Sequence, residues 1–89
     1  MHCCRKFVIS GRVQGVCYRA STQKKAIELE LTGYVRNLPD GRVEAECCGT
    51  VENIEAMQQW FWSGPVMAKV IDVQIQPLPI LDYATFDVR

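Results

Sequence analysis

Histidine is almost missing from this chain: His2 is the only one, and it stands beside the amino terminus, where main chains tend to fray. Acid–base catalysis through a central imidazole therefore has no well-placed base. Net charge is missing as well. Ten Lys and Arg cancel ten Asp and Glu, so no overall field gathers the protein onto nucleic acid or an anionic membrane, and any anion must be held by a local site. No apolar run approaches the roughly 20 residues that span a bilayer, and Met1-His2-Cys3-Cys4-Arg5-Lys6 lacks the charged-then-apolar layout of a signal peptide. These absences point to the cytoplasm, with neither nucleic acid nor membrane as partner.

Repeats, low-complexity tracts and linkers are absent too, so residues 1–89 are expected to form a single domain around one core. Cysteine, by contrast, is plentiful at five. An odd number cannot all pair within one molecule. Cys3-Cys4 and Cys47-Cys48 are adjacent pairs, without the two-residue spacer that lets two thiolates converge on zinc. Neither a disulfide framework nor a metal is expected.

What the chain does have is a changing hydrophobic period. From Cys4 to Val13, Phe7 and Ile9 alternate with Lys6, Val8 and Ser10, which predicts a strand. It runs into Gly11-Arg12-Val13-Gln14-Gly15-Val16, where two glycines permit backbone angles closed to other residues. From about Ser21 to Leu31, Ala26, Ile27, Leu29 and Leu31 oppose Gln23, Lys24, Lys25 and Glu28, the pattern of an amphipathic helix. Two further strands flank Pro39-Asp40-Gly41, a turn in which proline presets one angle and glycine accepts the next. Thr50 suits the N-cap of a second helix with Ile54, Met57 and Phe61 inward, ended by Gly64-Pro65. Within Trp60-Phe61-Trp62 the spacing turns Phe61 to the core, with tryptophan covering neighbouring surface rather than stacking bases.

Residues 68–76 alternate again, Val70, Asp72 and Gln74 against Lys69, Ile71, Val73 and Ile75, and Thr85–Val88 adds a short closing strand. The order is β-α-β-β-α-β with a short C-terminal strand. It predicts an α+β fold, a ferredoxin-like α/β sandwich, with two helices on one face of an antiparallel sheet. The first strand is then central, and the loop leaving it opens beside the start of the first helix.

If Gly15-Val16-Cys17-Tyr18-Arg19 curls into that helix start, successive backbone N–H groups converge on one concavity, and the helix terminus adds partial positive charge. Arg19 supplies a guanidinium able to grip two phosphate oxygens at once. A glycine-containing turn beside a solvated arginine is the commoner meaning of such a stretch, and local physics alone does not choose between the two.

The run Gly11-Arg12-Val13-Gln14-Gly15-Val16-Cys17-Tyr18-Arg19, with Gly33-Tyr34-Val35-Arg36-Asn37 and Asp40-Gly41-Arg42-Val43-Glu44, closely resembles the two signature blocks of the acylphosphatase family. The resemblance spans nearly the whole chain. It implies a metal-free and cofactor-free hydrolase that splits the carboxyl–phosphate bond of a small-molecule acyl phosphate, acting as a monomer. The family's catalytic arginine corresponds to Arg19 and its catalytic asparagine to Asn37, with the amides of Gly15, Val16, Cys17, Tyr18 and Arg19 binding phosphate. The chain departs from the family in having Leu29-Glu30-Leu31, where glycine usually separates the leucines, which bears on the helix exit but on no catalytic position. Tyr18 stands where phenylalanine is frequent, and Cys17 occupies a variable place.

In this reading Asn37 orients a water in line with the scissile bond, accepting through its carbonyl, and the water's proton passes to the substrate phosphate. Without the resemblance Asn37 reads as a turn residue before Leu38-Pro39. Cys17 lies in the loop beside a cation and a helix N-terminus, where a nucleophile is conceivable, but an incidental loop thiol is preferred, since the family's chemistry needs no covalent intermediate. Cys4 and Cys48 fall opposite each other in the expected topology. A disulfide between them is open, with two free thiols favoured in a reducing compartment.

Two other classes of function compete. A ferredoxin-like module that only binds would not need both Arg19 and Asn37, and an RNA-binding sheet would need exposed aromatics that these strands lack. The corresponding domain of larger carbamoyl-transfer enzymes is a third possibility, against which the short chain argues. A loop-built phosphate site reads one end of its substrate, so broad tolerance at the acyl end is expected.

Overall fold

The computed structural model describes residues 1–89. The chain runs β1 (His2–Arg12), α1 (Tyr18–Glu28), β2 (Thr32–Asn37), β3 (Val43–Thr50), α2 (Val51–Ser63), β4 (Lys69–Leu78) and β5 (Phe86–Val88). The strands form one sheet in the order β4-β1-β3-β2-β5. Central β1 alternates as its sequence requires: Phe7 and Ile9 are fully buried with Ala26, Ile54, Met57 and Phe61 of the helices, while Lys6 and Val8 take the opposite, open face. His2 does not fray. It pairs with Thr50 at the end of β1 remote from the loop.

The sheet is antiparallel except at its rim, where β5 runs parallel to β2. Residues 79–85 make that return across the open face, where Leu81 N–H donates to Cys4 Sγ (3.3 Å) and the Tyr83 hydroxyl donates to Glu46 (2.6 Å).

The first helix begins three residues before the expected Ser21, at Tyr18. That start sets its phase. Tyr18, Thr22 and Ala26 form the buried spine at four-residue spacing, and Ile27, expected to face inward, is 60% exposed. The helix ends in a Schellman motif: Leu31 N–H donates to Ala26 C=O (2.9 Å) and Glu30 N–H to Ile27 C=O (3.0 Å). The residue at its left-handed position is Glu30, with φ 56°. A side chain is held there where glycine would sit without strain.

Thr50 caps α2 as expected, its hydroxyl accepting from Asn53 N–H at 3.2 Å. On β4 the alternation breaks at a bulge. Ser10 pairs with Asp72 but Gly11 with Val70, so Ile71 is the extra residue. The inward face therefore passes from Val73 to Val70, and Ile71, expected to share the face of Val73, is 78% exposed. Gly11, with φ 127°, lies so close to β4 that a Cβ there would collide with the Lys69 carbonyl.

Cys4 and Cys48 are joined in a disulfide, not left as the favoured free thiols. The β1–β3 register sets them directly opposite each other, with Cα atoms 4.1 Å apart. Cys3, Cys17 and Cys47 are free, and Cys47 is fully buried.

Two outcomes follow for stability. Glu30→Gly should raise stability by about 0.5–1 kcal/mol, because the left-handed strain outweighs the extra freedom glycine brings to the unfolded chain; urea unfolding reads this, and a lower midpoint would contradict it. Reducing the disulfide opens a loop whose ends are 44 residues apart. The chain-entropy model puts the loss at roughly 3–4 kcal/mol, visible as a lower Tm in dithiothreitol. Alkylation of the unfolded, unreduced protein should label three thiols rather than five.

Candidate active site

The loop between β1 and α1 is fixed from inside and left open outside. Val13, Val16 and Tyr18 are buried at 1%, 8% and 1% exposure, and the Tyr18 hydroxyl donates to Phe61 C=O at 2.6 Å. Burial pushes the Tyr18 hydroxyl well above the ordinary tyrosine range, so it stays a donor. Gly64 is needed beside it: a Cβ there would strike the Tyr18 ring. Between the buried residues the chain turns through two left-handed positions, Gly15 (φ 74°) and Cys17 (φ 63°, ψ 24°).

This path leaves donors unspent. The N–H groups of Gly15, Val16 and Cys17 have no acceptor in the protein, and those of Tyr18, Arg19 and Ala20 lie in the first turn of α1, where no intrahelical partner exists. Cys17 occupies the N-cap, yet its side chain caps nothing. Gly15, Cys17, Tyr18, Arg19 and Ala20, with Val13, Asn37 and Val88, line a concavity of about 200 Å³. Val16, named with the loop amides, contributes its side chain to the core instead.

Arg19 and Asn37 meet in this concavity although they come from different elements. Arg19 follows from the first turn of α1; it forms no ion pair, and its Nη1 donates to the backbone oxygen of Arg89 at 3.0 Å. Asn37 ends β2 opposite Val43, on the helix side of the sheet. Its Oδ1 is buried and has no hydrogen-bond partner. A buried carbonyl oxygen left unpaired costs about 1–3 kcal/mol, and one placed here is an acceptor waiting for a donor from a water or a ligand.

One positioning residue is not evident from its sequence context. Gln14 Nε2 donates to Leu38 C=O and Arg42 C=O, both at 2.9 Å, so it stitches the loop to the turn that follows Asn37. An amide between two glycines was the only clue. Cys17 lines the concavity and is exposed, with no base in contact; His2 lies at the other end of β1.

On the open face a network of charges adjoins the site. Glu44 accepts from Tyr34 (2.7 Å) and Arg36 (2.7 Å) and pairs with Lys6 (3.3 Å). Burial alone would raise its carboxyl, but these three donors outweigh it and bring the pKa down to about 2. A carboxylate depressed on folding contributes stability above its unfolded pKa and loses it as pH falls through the folded value. Unfolding monitored between pH 5 and 2 should therefore show a loss of about 2 kcal/mol from this group, less than the full shift implies because Lys6 and Arg36 reach solvent. Glu44→Gln should flatten the dependence.

No group of three or more His, Cys, Asp or Glu is placed to hold a metal ion, and no helix is long and apolar enough to cross a membrane. The Acylphosphatase family model matches residues 5–88. An acylphosphatase of Nitrosococcus oceani is 52% identical over 86 residues, covering 97% of each chain. Among solved structures, an acylphosphatase from Coxiella burnetii superposes with TM-score 0.96 at 43% identity, over 99% of this chain and 93% of its own. That of Bacillus subtilis gives 0.94 at 29% identity, over 100% and 99%. Matched from end to end by relatives of its own length, and folded as they are, the chain belongs to the acylphosphatase family and is an enzyme that hydrolyses acyl phosphates.

Proposed function

We propose that hydrolysis proceeds by in-line attack of a water on phosphorus, without a metal or a covalent enzyme intermediate. The substrate's phosphate sits on the amides of Gly15, Val16, Cys17, Tyr18 and Arg19, with the Arg19 guanidinium against its outer oxygens. Asn37 accepts from the attacking water and sets its line of approach. The observation that carries this reading is the meeting, in one concavity, of unspent backbone donors, a guanidinium held only by a backbone oxygen and the unpartnered Asn37 oxygen.

The chemistry asks little more of the protein. As the water oxygen bonds to phosphorus, the bond from phosphorus to the acyl oxygen breaks, and the carboxylate leaves with the electron pair, needing no proton at neutral pH. Charge builds on the equatorial phosphoryl oxygens, where preorganised donors act most strongly. The water's proton passes to a phosphate oxygen, so the absence of a side-chain base near Asn37 is no obstacle. Cys17 stays outside the reaction as a loop thiol. The enzyme works as a cytoplasmic monomer of one domain, with no nucleic acid or membrane partner.

Phosphate release from benzoyl phosphate tests the assignment. Activity should persist in excess chelator. Arg19→Ala should lower kcat by about 10³-fold or more, and Arg19→Lys nearly as much, because a point charge cannot replace the planar fork. Asn37→Ala should cost about 10²- to 10³-fold in kcat with an unchanged circular dichroism spectrum, and full turnover in that variant would remove its role. Cys17→Ser should remain active; a dead but folded Cys17→Ser protein would restore the covalent route.

A further inference from the structure

The ten cations and ten carboxylates cancel in number but not in place. Strand register puts Arg12, Arg36, Arg42, Lys69 and Arg89 at the end of the sheet where the phosphate loop emerges, with Arg19 beside them in the first turn of α1. The carboxylates at that end are Asp40, Glu44 and Asp72. Asp40 is spent on Arg42, and Glu44 on Arg36 and Lys6. A chain that is neutral overall thus has a positive end, and that end holds the site.

Within it, Arg12 and Lys69 differ from the other cations because the fold sets them against each other. An unbroken ladder from the Ser10–Asp72 pair would bring Val70 opposite Arg12; the extra residue at Ile71 brings Lys69 there instead. Directly opposed residues of an antiparallel pair share a face, and like charges so placed destabilise it. Both residues are exposed, and neither belongs to an ion pair. Asp72 is drawn opposite Ser10. Bulges re-aim side chains and recur beside active sites, and this one holds two uncompensated cations next to the loop. Arg12 precedes Val13 of the concavity wall, and its backbone is three residues from Gly15. Three residues of chain span at most about 10 Å, a distance over which exposed charges still act at moderate salt.

We propose that Arg12 and Lys69 form an electrostatic approach to the phosphate loop: they draw the phosphate dianion toward the amides and Arg19, and take no part in the reaction. The proposal rests on the phosphate-loop reading above and adds to it two side chains that touch neither the attacking water nor the scissile bond. A field of one sign around a site raises both the local concentration and the capture rate of an oppositely charged ligand. The pair reads the charge of the phosphate alone, so its effect is the same for every acyl group and for inorganic phosphate. Bound substrate and transition state feel it equally. Its loss therefore falls on kcat/KM and leaves kcat as it was.

Lys69→Glu separates this role from a structural one, because the two predict opposite pairs of results. Exchanging a like-charged pair for an opposite one should raise the urea midpoint. The same change should lower kcat/KM for benzoyl phosphate about three- to tenfold at roughly 10 mM salt, with kcat unchanged. The double variant Arg12→Gln, Lys69→Gln should lose a similar factor, and inhibition by inorganic phosphate should weaken in step. In about 0.5 M sodium chloride the variants and the natural protein should converge. An unchanged kcat/KM at low salt, a loss that persists in high salt, or a loss accompanied by a lower midpoint or kcat overturns the electrostatic approach. Arg19→Ala, assayed alongside, tests the loop itself: retained turnover there overturns the phosphate-loop reading, whichever way Lys69→Glu falls.

Discussion

The active-site loop has to satisfy two opposed demands: its side chains must be buried well enough to hold a strained path, while its N–H groups must stay unpaired. Val13, Val16 and Tyr18 meet the first by filling the core. Left-handed turns at Gly15 and Cys17 meet the second, because they take the amides out of any strand or helix ladder. An anion site built this way binds without reorganising. Its donors are already desolvated from one side and positioned by the packing of α2 against β1, which makes the distant Phe61, the acceptor for Tyr18, part of the site's foundation.

The same logic explains the division of the sheet. The helix face supplies apolar burial, and with it the placement of Arg19 over the end of β2. The open face supplies register. A Cys4–Cys48 bridge at one end and the Glu44 network toward the other pin β1, β3 and β2 against sliding, and a slip by one residue would turn Asn37 away from the loop. Gln14 adds a direct tie between the loop and the turn beyond Asn37. Catalytic geometry is thus secured by elements that never touch substrate.

Three features of the fold lie beyond local sequence signals, each for its own reason. The phase of α1 does not follow from its apolar residues alone: Tyr18 precedes the expected start and Thr22 is polar yet fully buried, so the spine Tyr18-Thr22-Ala26 leaves Ile27 outside. Alternation in β4 runs through Ile71 by sequence, but one extra residue at a bulge exchanges the two faces, and no local signal distinguishes a bulged isoleucine from a paired one. The free-thiol preference for Cys4 and Cys48 came from compartment, whereas register decided the pairing.

The sequence by itself determined the order of elements, the turn at Pro39-Asp40-Gly41, the Thr50 cap, the alternating core of β1 and the two blocks that carry Arg19 and Asn37. These are local: each depends on dihedral preferences or periodicity within a few residues. Tertiary structure alone decided the parallel seat of β5, the Gln14 stitch, the unpartnered Asn37 oxygen and the stacking of Arg89 over Tyr34 beside the site. Each of these joins residues well separated along the chain. Their energy appears only when the sheet has closed and the helices have packed, so nothing in the neighbouring sequence can encode it.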